Sequence, residues 1–322
     1  MPSKMIGITL GDPSGIGPEI IATTLVQLDT PTMERLHLFA DACVVDRAFA
    51  QIGEVRPPHL VMTDLGALTV GDVPLGEPTA AGAAAQVAYL DAAMEVANDG
   101  RIHGLVTAPI SKQQIASVGF GFPGHTEYLA ARLGAERVAM MFVGPKLTVV
   151  LATIHIPLAA VPESLTRQAI IDATELAVMT MRERLGVARP RVGIVGLNPH
   201  AGEAGILGRE EIETISPAVD DCRERMAALA DISGPIVPDA AFRQALEGDY
   251  DVLVAMYHDQ GLIPIKVVDF ENSVNCTVGL PIVRTSPDHG VAYDIAGQNR
   301  ARADSFGAAL RLAIRMVDNA SE

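Results

Sequence analysis

The sequence predicts an α/β protein, on three observations: apolar runs are short and unbroken, they are rich in β-branched residues, and longer helix-like segments alternate with them. Strands buried on both faces read as such continuous runs. Their alternation with helices implies a mostly parallel sheet flanked by helices.

The strand-like runs, in order, are "MIGITLG" (5–11), "GLVTAP" (104–109), "LTVVLAT" (147–153), "RVGIVGL" (191–197) and "YDVLVAM" (250–256). Between them, "AAGAAAQVAYLDAAMEVAND" reads as a helix that stops at Gly100. "SLTRQAIIDATELAVMTMRERLG" opens at the N-cap candidate Ser164 and stops at Gly186. A further helix starts at Ser216-Pro217, where serine can cap and proline suits the first turn, and "DSFGAALRLAIRMV" closes the pattern. No internal repeat or low-complexity tract interrupts it. Two lobes are expected, residues 1–130 with 280–322 and residues 131–279, with crossings near 131–146 and in "DFENSVN".

With 322 residues, 49% of them apolar, the chain is long enough for a substantial core, yet it has no apolar stretch of membrane-spanning length. The start, "MPSKMIGITLGDP", lacks the apolar region of a signal peptide, so a cytoplasmic location is expected. Cys43, Cys222 and Cys276 are far apart and form no CxxC pair, which reads as reduced, mostly packed thiols. A formal charge of −15 argues against nucleic acid and anionic lipid as partners. It leaves room for a small anion held by a few converging cations.

Three histidines share one context. "VVLATIHIP" places His155 after a strand, "IVGLNPHAGE" places His200 there, and "LVAMYHDQG" places His258 there. Ligands of open α/β sheets gather at the carboxyl ends of strands, so the three are candidates to converge on one divalent ion with positions left for substrate oxygen. The competing reading makes each a hydrogen-bonded loop histidine. No HxH or HExxH spacing is present, so only tertiary or quaternary structure could assemble such ligands.

A second group is cationic and polar: His125 and Thr126 in "FPGHTEYLA", Lys266 in "IPIK", Asn275 in "SVNC" and Arg284 in "PIVRTSPDHG". Cations in apolar surroundings are costly to desolvate unless they meet an anion, and arginine offers a fork matched to phosphate or carboxylate. Ordinary pairing with some of the 39 acidic residues is the alternative, and Lys112 in "TAPISK" invites the same two readings. The loop "GDPSGIGPE" is glycine-rich but is not G-x-G-x-x-G, so any nicotinamide cofactor must bind without that fingerprint. Tight turns, with Asp12 as a cap, explain the loop equally well.

Taken together, "GITLGDPSGIGPE", "VTAP" with Lys112, "GHTEYLA", "ATIHIPL", "GLNPHAGE", "AMYHDQG" and "NCTVGLPIVRTSPDHG" resemble the 4-hydroxythreonine-4-phosphate dehydrogenases of pyridoxal phosphate biosynthesis, in the same order from about residue 5 to about residue 300. The resemblance implies a three-layer α/β/α fold like that of isocitrate and isopropylmalate dehydrogenases, with a cleft between two lobes. It implies a homodimer with its active sites at the subunit interface, and NAD or NADP as cofactor. It also implies one divalent metal ion (Zn, Mg, Co or Mn) on His155, His200 and His258, and substrate contacts from His125, Thr126, Lys266, Asn275 and Arg284. Cys276 and Val278 within the "VNxTxGLP" block, and Pro287 in "TSPDHG", differ in detail from the family pattern.

The chemistry so implied is metal-dependent, NAD(P)-linked oxidation of 4-phosphooxy-L-threonine to a 3-oxo acid, which decarboxylates to 3-amino-2-oxopropyl phosphate. Lys266, Asp259 and Asp239 are the candidates for the general base. Two other readings stand beside it. One is oxidation of 4-phospho-D-threonate or 4-phospho-D-erythronate within the same family, and the other is a three-histidine metallohydrolase that activates water instead of an alcohol.

Overall fold

A computed structural model describes residues 4–320. The chain divides into two compact units, one formed by the residues up to Glu136 together with Leu280–Asp318, the other by Arg137–Gly279 with the chain from Asn319.

Among the described residues, five strands run in the first unit: β1 (Ile6–Thr9), β2 (Leu36–Ala40), β3 (Val61–Asp64), β4 (Gly104–Thr107) and β11 (Val283–Ser286). Their order is β3-β2-β1-β4-β11 and every pairing among them is parallel. All four residues of β1 and of β4 are buried, as expected of unbroken apolar runs covered on both faces. The helix Ala80–Asn98 packs on β1 and β2; it is capped by Thr79, whose side chain accepts from Gly82 N, and ends before Gly100 at φ +71°. Gly11 follows β1 at φ +72°, and a Cβ there would collide with the Pro109 carbonyl. Only glycine lets the "GDPSG" turn approach the chain after β4 so closely, and Asp12 N then donates to Pro109 O at 2.9 Å.

The second unit holds β5 (Ala139–Val143), β6 (Thr148–Leu151), β7 (Arg191–Val195), β8 (Asp231–Ile236), β9 (Val252–Ala255) and β10 (Val274–Val278). Here the order is β10-β5-β6-β9-β7-β8. The β10-β5 and β5-β6 pairs are antiparallel, whereas β6, β9, β7 and β8 run parallel. Phe142, Val149, Leu151 and Leu253 form a core with Leu262 and Ile265 of the helix His258–Asp269. Burying each such side chain contributes about 1.5–3 kcal/mol, enough to fix where that helix begins. Gly261 makes the seat possible, because a Cβ there would lie 2.7 Å from Leu151 Cδ2 and 2.9 Å from Val149 Cγ1.

One expected helix start shifts, and two expected caps do not form. Ser164 ends a short turn, Val161–Ser164, and the long helix Arg167–Glu183 is capped by Thr166, which accepts from Ala169 N. Ser216 caps nothing: a wider turn, Glu211–Ile215, already winds into the helix Ser216–Arg225. Asp12 accepts from Ser14 N and so closes a turn, not the helix Gly17–Leu25. The three cysteines form no disulfide among the described residues, and Cys222 and Cys276 are buried. No helix there is long and apolar enough to cross a membrane.

Candidate active site

The three candidate metal histidines follow three neighbouring parallel strands. His155 comes after β6, His258 after β9 and His200 after β7, and the strands lie side by side in the order β6-β9-β7. Hydrogen bonds tie the loops at this sheet end. Thr153 Oγ1 donates to Met256 O at 2.7 Å, linking the His155 and His258 segments. Buried Gln260 accepts from Met256 N at 2.6 Å and donates to Gly196 O at 2.7 Å, linking the His258 and His200 segments.

The rings of His155 and His258 are 5.5 Å apart, centroid to centroid. Nδ1 of His258 lies 2.8 Å from Asp259 Oδ1, which leaves Nε2 as its outward donor atom. Metal-ligating histidines are oriented by a carboxylate in this way. His200 is exposed on an unusual turn in which His200, Ala201, Gly202, Glu203 and Ala204 all have φ between 43° and 77°. Left-handed backbone costs roughly 1–2 kcal/mol per non-glycine residue. Glu211, 3% exposed, holds the turn: its carboxylate accepts from Leu197 N at 2.8 Å, Asn198 N at 2.7 Å and Asn198 Nδ2 at 2.9 Å. Among the described residues no three His, Cys, Asp or Glu side chains gather as a metal-holding group; the rings of His155 and His258 are neighbours, and His200 stands exposed on its turn.

Of the proton-acceptor candidates, Lys266 shares a surface groove of 340 Å³ with His258 and Asp259 on one face of the helix His258–Asp269. Asp259 is turned onto His258, and Asp239 stands exposed in the first turn of the helix Pro238–Leu246, after the outer strand β8. Asn275, on β10, carries a buried Oδ1 without a hydrogen-bond partner.

In the first unit, Arg284 on β11, Thr107 on β4 and His125 form a buried polar cluster. Arg284, 4% exposed, donates through Nη2 to Thr107 Oγ1 at 2.8 Å and to His125 Nδ1 at 3.3 Å. A guanidinium only donates, so His125 Nδ1 is the acceptor and the ring proton sits on Nε2. That Nε2 is buried and has no hydrogen-bond partner. Burial, then the charges of Arg284 and Lys112, holds His125 well below the ordinary histidine range, so the ring is neutral near pH 7. His125 and Thr126 open the helix His125–Leu133, whose N-cap Gly124 supplies no side-chain cap. The cluster therefore offers donors, and a donor-only set suits phosphate or carboxylate.

Sequence reasoning passes over Glu211, Gln260 and Thr153, which position the loops. Glutamine and threonine beside a histidine look like ordinary loop polarity; their near-complete burial is what marks them.

A mostly parallel α/β core, with histidines after neighbouring strands and buried hydrogen-bond donors gathered beside two others, defines the class: an α/β protein whose polar side chains collect at strand ends. A family profile described as "Pyridoxal phosphate biosynthetic protein PdxA" matches residues 21–313, and the chain belongs to that family. It is similar to a 4-hydroxythreonine-4-phosphate dehydrogenase of Desulfosudis oleivorans, at 44% identity over 97% of this chain and 96% of the relative. The crystal structure of a protein of that name from Klebsiella pneumoniae superposes with a TM-score of 0.87 at 35% identity, covering 98% of each chain. A terephthalate 1,2-cis-dihydrodiol dehydrogenase from Burkholderia xenovorans shares the fold at a TM-score of 0.69 and 32% identity, over 97% of this chain and 98% of that one.

Proposed function

We propose that this chain is a 4-hydroxythreonine-4-phosphate dehydrogenase, oxidising the secondary hydroxyl of 4-phosphooxy-L-threonine with NAD or NADP as the hydride acceptor. The 3-oxo acid so formed loses CO2 to give 3-amino-2-oxopropyl phosphate. The observation that carries this reading is the buried donor pocket of His125 and Arg284, in a chain whose relatives bear that name. It suits an anionic substrate, and a water-activating hydrolase does not by itself require it.

In this reading Arg284, His125 and Thr126 grip an acidic group of the substrate, with Lys266 and Asn275 as further contacts. His125 stays neutral and donates from Nε2. A divalent ion (Zn, Mg, Co or Mn) on His155, His200 and His258 would supply Lewis acidity at the hydroxyl and at the carbonyl that replaces it. The adjacent rings of His155 and His258, and the carboxylate on Nδ1 of His258, fit such an ion. The hydroxyl proton must leave as the hydride departs, and its acceptor is sought among Lys266, Asp259 and Asp239, the first two of which line the groove with His258.

The same helix exposes Ile263 (61%) and Val267 (81%), and its C-cap Phe270 (68%) continues the spacing of one apolar stripe. That stripe supports a homodimer with the catalytic groove at its interface. We place the enzyme in the cytoplasm, in keeping with its biosynthetic family.

The test is a substrate panel with purified protein and defined metals. Nicotinamide reduction should be fastest with 4-phosphooxy-L-threonine and slower with 4-phospho-D-threonate and 4-phospho-D-erythronate. Preference for either aldonate, or phosphate release without nicotinamide reduction, would refute the assignment.

A further inference from the structure

The "GDPSG" and "TAPISK" loops of the first unit carry more polar order than the pocket of His125 and Arg284 itself requires. Asp12 is 2% exposed, and its Oδ2 accepts both from Gln86 Nε2 at 2.8 Å and from Tyr293 Oη at 2.6 Å. Gln86, 1% exposed, turns its other amide atom outward: Oε1 accepts from Ser111 N at 2.8 Å. Carboxylate, amide and backbone N–H thus form a chain in which every donor has one acceptor, and Gln86 has one possible orientation. It ends on the residue before Lys112.

Lys112 opens the helix Lys112–Ser117 and is exposed. It lies over the start of the helix His125–Leu133, since a Cβ built on Gly124 would sit 3.4 Å from its Cε and 3.6 Å from its Nζ. The Glu127 carboxylate reaches the same point at 3.6 Å, yet among the described residues no carboxylate pairs with Lys112. A lysine stem ordered by a buried network, with its charge beside a buried imidazole donor and a guanidinium, is a cation arranged for a ligand and not for a neighbour.

We propose that Lys112 is a further substrate-binding residue, whose ammonium closes the His125–Arg284 anion pocket from its open side, and that Gln86, anchored on Asp12, is the positioning residue that sets it there. The ligand is the phosphate of the substrate, so the claim rests on the function proposed above. Asp12 does not touch the ligand. Burial pushes its carboxyl up, and the hydrogen bonds from Tyr293, Ser14 and Gln86 oppose that rise.

Lys112→Met should raise KM for 4-phosphooxy-L-threonine about 10- to 100-fold, the worth of one charge-assisted hydrogen bond, with kcat within about threefold of wild type. Lys112→Arg should restore most of the affinity. Gln86→Leu should raise KM by a smaller factor alone and add nothing in the Lys112→Met background, the non-additivity of two residues acting through one contact. Inorganic phosphate, titrated calorimetrically, probes the pocket without turnover. Weaker phosphate binding by a Lys112→Met protein that melts like wild type supports the site even if no phosphorylated hydroxy acid is oxidised. Equal phosphate affinity and equal KM in wild type and Lys112→Met overturn it, and full additivity of the two substitutions overturns the role of Gln86.

Discussion

Arg284 Nη2 donates to His125 Nδ1 at 3.3 Å, so the imidazole beside the guanidinium must keep its proton on Nε2 and remain uncharged. Two residues 159 positions apart in the chain thereby make one donor surface.

That relationship has a pH signature. His125 sits below its ordinary value, so on acidification through about pH 6.5 the unfolded chain takes up a proton that the folded protein refuses. The unfolded state binds more protons in that window, hence stability is whole above about pH 6.5 and falls below it. His125→Asn should flatten the decline between about pH 6.5 and 5, seen as denaturant midpoints across pH. His37, also lowered by burial and then by Arg101, contributes equally to both proteins and cancels. Identical slopes would mean that folded His125 takes up its proton as readily as the unfolded chain does.

Asp259→Asn should lower metal affinity or activity by about 10- to 100-fold without unfolding the protein, because the carboxylate on Nδ1 of His258 orients that ring. Metal titration of wild type and variant checks it. Unchanged affinity together with abolished turnover would instead make Asp259 the proton acceptor.

Val267→Glu places a charge on the most exposed member of the apolar stripe. Sedimentation should show a shift from dimer to monomer, and activity should fall with the dimer fraction. A monomeric variant of full activity would remove the interface from the mechanism.

Tyr89→Phe tests the core of the first unit. Tyr89 is fully buried and donates from Oη to Asp41 Oδ2 at 2.7 Å, while Asp41 Oδ1 accepts from Ala67 N at 2.6 Å and Leu68 N at 3.1 Å. Burial, with this hydrogen bond, pushes the phenol far up, so it remains a donor at any working pH. Removing it leaves a buried carboxylate oxygen short of a donor and should cost about 1–3 kcal/mol in denaturant unfolding, with kcat unchanged.

The α/β class was legible because β1, β4, β6, β7 and β9 are the five unbroken apolar runs, and each is buried on both faces apart from Thr148 and Arg191, which start β6 and β7. The other strands hid for separate reasons. Val61 and Asp64 leave β3 partly exposed at its sheet edge, and β8 carries Gly234-Pro235 in its middle. β5, "AMMFV", is entirely buried but antiparallel and methionine-rich, inside a stretch that reads as a crossing between lobes. Ser164 and Ser216 misled as caps because a short turn or a widened one precedes each helix, and such turns have no composition of their own.

At the site, residue type pointed to His155, His258, His125 and Arg284, but only the fold shows which of them touch. The proximity of His155 to His258 depends on β6 and β9 being neighbours, which no spacing in the chain encodes. Buried glutamines and glutamates are invisible to pattern because their role lies in where they end, at Gly196 O for Gln260 and at Asn198 N for Glu211.

The turn at His200 stands as a loaded spring. Four non-glycine residues are wound against their natural hand, and one carboxylate, Glu211, is the latch. When that latch slips, the winding relaxes of its own accord and His200 is carried off with it, whereas His155 and His258, moored to the sheet, stay where they are.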